Sequence, residues 1–71
     1  MNKASIIAEM NYIQAKFNNG AKVHLFANIV SVIFAELSFA NKDTGEIPDS
    51  RYNKIRTQIV ELEKLIDNGG M

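Results

Sequence analysis

The chain has no cysteine and no tryptophan, and only one proline and one histidine. Without cysteine there are no disulfide staples and no thiolate zinc site, two common supports of small domains. A lone histidine cannot build a metal cage by itself. Net charge is also missing: eight basic and eight acidic side chains cancel. No basic surplus therefore points to nucleic acid, and little self-repulsion keeps copies apart. The opening Met1-Asn2-Lys3-Ala4-Ser5 leads into mixed polar and apolar residues rather than the apolar core and small-residue cleavage site of a secretory signal. A cytoplasmic location is the expectation.

Chemistry-bearing motifs are equally scarce. There is no Gly-rich phosphate loop and no placeable set of nucleophile, base and orienting group. Asp43-Thr44-Gly45-Glu46 lacks the run of oxygen ligands that a calcium loop needs and reads as a solvated turn. A helical chain of 71 residues also has little room for a deep pocket. The expected protein is not an enzyme and uses no cofactor or metal.

Apolar periodicity supplies the positive information. From about Lys3 to Asn18, Ile6, Met10, Ile13 and Phe17 recur at four, three and four, one stripe of a helix, with Ala4, Ala8 and Ala15 opposite. Asn18-Asn19-Gly20 is a natural stop. A second helix is predicted over about 21–41. Its β-branched residues invite a strand reading, but Ile29-Val30 and Val32-Ile33-Phe34 break alternation, and the polar residues recur at helical spacing. After a polar connection at 42–48, with Asp49 or Ser50 as the candidate N-cap, Tyr52, Ile55, Ile59, Leu62 and Ile66 repeat at three, four, three and four, an a/d seam ending near Asp67. The expected architecture is all-α: one domain over 1–71, three helices at about 3–18, 21–41 and 49–67, and a flexible tail at 68–71.

The second helix is the anomaly. On a wheel at about 100° per residue, His24, Asn28, Ser31, Ala35 and Ser38 form one narrow polar seam, and nearly everything else from Val23 to Ala40 except Glu36 is apolar. Flanking stripes of ordinary width would cover about 200° of an apolar arc of about 280°. The remainder is expected to bind protein, either another copy or a different chain, and Phe26, Ile29, Val30, Ile33, Phe34 and Leu37 are the candidate contacts. The polar seam either hydrogen-bonds across a helix pair or is the solvent edge. Glu36 either pairs with a cation of another helix or sits at the exposed helix end. Crossing a bilayer is a competing use of the apolar run, disfavoured by Asn28 and Glu36.

The third helix begins basic, with Arg51, Lys54 and Arg56, and ends acidic, with Glu61 and Glu63. This order opposes the macrodipole within one helix but is complementary between two antiparallel copies about an axis near Gln58-Ile59. The basic half also permits a nucleic-acid reading through Arg51, Asn53, Lys54 and Arg56, against which Asp43, Glu46 and Asp49 stand close by. The expected function is a small interaction module, homo-oligomeric, that modulates or inhibits a larger partner in the manner of phage or mobile-element accessory proteins. A nucleic-acid-binding regulator is the alternative.

Overall fold

The computed structural model describes residues 2–69, with side chains described for 2–66. It contains three α-helices: α1 (Lys3–Lys16), α2 (Val23–Leu37, entered through a 3₁₀ turn at Gly20–Lys22) and α3 (Asp49–Gly69). The all-α expectation is met. The helix ends shift for local reasons. α1 stops at Lys16 because Phe17 turns extended, and α2 stops at Leu37, where the Ser38 hydroxyl donates to the Ala35 carbonyl at 2.6 Å in a tightening last turn. α3 runs on through Asn68 and Gly69, expected in the tail; residues 70 and 71 of that tail lie outside the described residues.

The chain runs up, down, up. Lys3 N–H donates to the Gly45 carbonyl at 2.7 Å, and Arg56 reaches Glu9, so α1 and α3 ascend side by side. Arg51 near the start of α3 bonds Glu36 near the end of α2, so those two are antiparallel. α3 packs against both other helices, most extensively against α2. α2 lies in the middle of the sequence; in the packing that place belongs to α3. α1 and α2 meet where Phe17 and Phe26 stack, ring centroids 4.0 Å apart.

One core joins the helices. Ile6, Met10 and Ile13 come from α1, Phe26, Ile33 and Leu37 from α2, and Ile55, Ile59 and Leu62 from α3. Phe17, Tyr52 and Ile66, the other members of the expected stripes, pack partly buried against it. Ile47 joins it from the connection before α3, a position with no helical period to announce it.

That connection is folded by its own polar groups. Asn41 Oδ1 accepts from Asp43 and Thr44 N–H, and the Gly45 N–H returns to the Asn41 carbonyl at 2.8 Å. Gly45 sits at φ 75°, where a Cβ would be strained and would meet Asn2 Nδ2 at 3.0 Å. Asn2 does two jobs there: its Oδ1 caps α1 by accepting from Ala4 N–H at 2.7 Å, and its Nδ2 donates to the Thr44 carbonyl at 3.0 Å. The turn between α2 and α3 is thereby tied to the start of α1. Pro48 precedes the first helical residue, and its carbonyl accepts from Tyr52 N–H. Asp49 therefore stands in the first turn of α3 rather than at the N-cap, where its charge suits the helix dipole.

Candidate interaction surface

The two sides of α2 differ sharply. Toward α3 lie Phe26, Ile33 and Leu37, all buried, with Ile29 and Val30 half-buried beside them. This corrects the expected interaction set. Phe26, Ile33 and Leu37 are used inside their own chain, because the apolar stripe of α3 needs a facing stripe and these residues supply its centre. Of the six candidate contacts, only Phe34 is exposed, at 40%.

The apolar excess lies on the rest of the helix. Leu25 (46%), Val32 (47%) and Phe39 (56%) stand open on one side of the polar seam, and Val23 (47%) and Phe34 on the other. The seam itself is exposed throughout: His24, Asn28, Ser31, Ala35 and Ser38 all face outward. Two apolar edges and a small polar midline thus form one continuous, largely uncovered face, which α3 reaches through Arg51 at Phe39.

Electrostatics fence this face at one edge. Arg51 Nη1 donates to Glu36 Oε2 at 2.9 Å, and Glu36 keeps only 17% of its side-chain exposure, so the pairing with another helix holds and the exposed-end reading does not. The same guanidinium lies 3.7 Å from the centre of the Phe39 ring, a cation–π contact that fixes the edge of the open face. Arg56 Nη1 donates to both Glu9 oxygens, at 2.8 and 3.0 Å, bonding α3 to α1.

These pairs change the reading of α3. Of Arg51, Lys54 and Arg56, two are neutralised by carboxylates of the same chain, leaving Lys54 exposed. On the acidic half, Glu61 sits 3.6 Å from Lys64 one turn on, and Glu63 is exposed. The basic half therefore neither offers a second copy a free row of cations nor presents a phosphate-binding row. Asn53 is exposed beside Lys54, the one cation of this set without a carboxylate partner shown among the described residues. For Glu36 the sequence offers a cation of another helix without naming Arg51, and it holds no sign of Glu9–Arg56, because each pair joins residues from different helices.

Other sites are slight. A shallow cleft of about 150 Å³ lies between the ends of α1 and α3, lined by Tyr12, Lys16, Glu63 and Ile66, with the Lys16 ammonium 4.5 Å from the centre of the Tyr12 ring. Among the described residues no group of three or more acidic or histidine side chains could hold a metal ion. By length and composition, Gly20–Leu37 is apolar enough to cross a membrane, with a mean hydropathy of 1.4. α2 proper is about 22 Å long at 1.5 Å per residue, short of a hydrocarbon core of about 30 Å. No family model matches this chain, and no curated protein or solved structure matches it.

Proposed function

We propose that the protein is a non-enzymatic interaction module that works by docking the open face of α2 on another protein chain, in the role of a small cytoplasmic accessory factor modulating or inhibiting a larger partner. The observation that carries this reading is the continuous exposure of Leu25, Val32, Phe34 and Phe39 around a seam of small and polar residues. Contiguous apolar surface of this kind marks interaction sites, and a small domain gains stability when such a surface is covered. The nucleic-acid alternative is weakened by the engagement of Arg51 and Arg56 with Glu36 and Glu9.

Mass in solution, measured by light scattering in buffer, with duplex DNA and with mild detergent, tests it. An oligomer in buffer that ignores DNA and detergent supports protein docking. A chain that is monomeric in buffer and takes up detergent would instead be a membrane-surface protein. Salt-sensitive binding to random duplex would favour the nucleic-acid reading.

A further inference from the structure

The open face of α2 carries a pattern that two flanking helices do not use. His24, Asn28, Ser31, Ala35 and Ser38 recur at four, three, four and three, the a/d spacing of a helix seated on another helix. Leu25, Val32 and Phe39 repeat every seven residues along one edge, and Ala27 and Phe34 lie seven apart along the other. In an ordinary coiled coil the seam is apolar and the edges are charged. Here the seam is small and polar and the edges are apolar, so two such helices can approach closely along the seam and close the contact with their edges.

We propose that this face is covered by the same face of a second copy, the two α2 helices running antiparallel about a two-fold axis that passes between Ser31 and Val32. The proposal rests on the docking reading above and names its partner. An antiparallel pair brings like edges together. With the axis there, Val32 comes beside the partner's Val32, Leu25 beside the partner's Phe39, and Ala27 beside the partner's Phe34, each pair offset by no more than about 3 Å along the helix. Each phenylalanine ring thus meets a smaller side chain, a large-to-small match that the surface provides for itself.

Charge points the same way. No Asp, Glu, Lys or Arg of α2 lies on the seam or its edges, and the one cation that touches an edge, Arg51 on the Phe39 ring, is paired with Glu36. The face meets itself without like-charge repulsion and offers nothing to a partner chosen by charge. The antiparallel order also opposes the two helix dipoles. His24, Asn28 and the serines bring donors and acceptors that a second copy can satisfy, whereas lipid would leave them stranded. A helix face about 22 Å long buries on the order of 1,000 Å² in total, at the low end of specific interfaces, so a reversible dimer is expected.

The cysteine-free sequence permits a direct test on the whole chain. Single variants Leu25→Cys, Val32→Cys and Phe39→Cys are oxidised mildly, alone and mixed, with Lys54→Cys, exposed on α3, as the collisional baseline. Val32→Cys alone, and the mixture of Leu25→Cys with Phe39→Cys, should cross-link at least tenfold faster than Lys54→Cys. Leu25→Cys alone and Phe39→Cys alone should stay near that baseline. Fast self-cross-linking of both latter variants would bring equal positions together at both ends of α2, which this antiparallel pair does not allow, and would overturn the proposal while leaving α2 as a docking face. Baseline rates throughout, with a monomeric mass, would overturn the second copy. Detergent uptake by that monomer would overturn the docking reading as well.

Discussion

Residues 32 and 33 are neighbours in sequence, both β-branched and apolar, yet Val32 is 47% exposed and Ile33 is fully buried. They stand for the two sides of α2. One side completes a core with α3 and α1. The other carries apolar residues of the same size along two edges of a polar seam, and among the described residues of the other helices only Arg51, at Phe39, is seen to touch it. Apolar character alone therefore does not say where a residue of this helix is used; its position relative to the stripe of α3 does.

The widest separation of the two sides should come from truncating the buried one. Ile33→Ala is expected to cost about 2–5 kcal/mol through lost burial and a cavity. Total stability for a chain this size is roughly 4–10 kcal/mol, so thermal unfolding followed by circular dichroism should show a large loss or no cooperative transition. Phe26→Glu and Ile33→Glu would place an unpaired charge in the core and should prevent folding, rather than simply separate two folded copies.

The boundary between the sides should be next. Arg51→Ala leaves the partly buried Glu36 carboxylate without its cation and removes the guanidinium from the Phe39 ring. A loss of about 1–2 kcal/mol in urea unfolding is expected. An unchanged midpoint would mean that the pair is solvent-screened and that the fence around the open face is dispensable.

Away from α2, Gly45→Ala should cost about 1–2 kcal/mol, since φ 75° disfavours any Cβ and the added methyl would press on Asn2. Because Asn2 also caps α1, hydrogen exchange in the first turn of α1 should quicken in this variant. The smallest effect on the isolated fold belongs to the open side itself: Val32→Ser should change the unfolding free energy of the monomer by no more than about 0.5 kcal/mol.

Much of this architecture is legible in the sequence, and the misreadings have a common cause. The stripes Ile6-Met10-Ile13 and Ile55-Ile59-Leu62 announce themselves because their neighbours are polar, so periodicity and burial coincide. In α2 the signal saturates. When nearly every position is apolar, the wheel locates the polar seam but cannot rank the remaining arc, and Ile33, opposite the seam, is read as interface when it is core. The charges of α3 fail differently: order along one helix is visible, while Glu9 and Glu36, which meet Arg56 and Arg51, lie on other helices. Ile47 sits alone between Glu46 and Pro48, where only the three-dimensional path of the turn directs it inward.

The central claim is that the uncovered side of α2 is covered by another copy of the chain. Its most direct measurement is the concentration dependence of the melting temperature, wild type beside Val32→Arg. If folding is coupled to association, the wild-type Tm rises by several degrees as concentration is raised a hundredfold, while the variant melts cooperatively at one temperature throughout. A wild-type Tm that does not move with concentration, matching that of Val32→Arg, would contradict it.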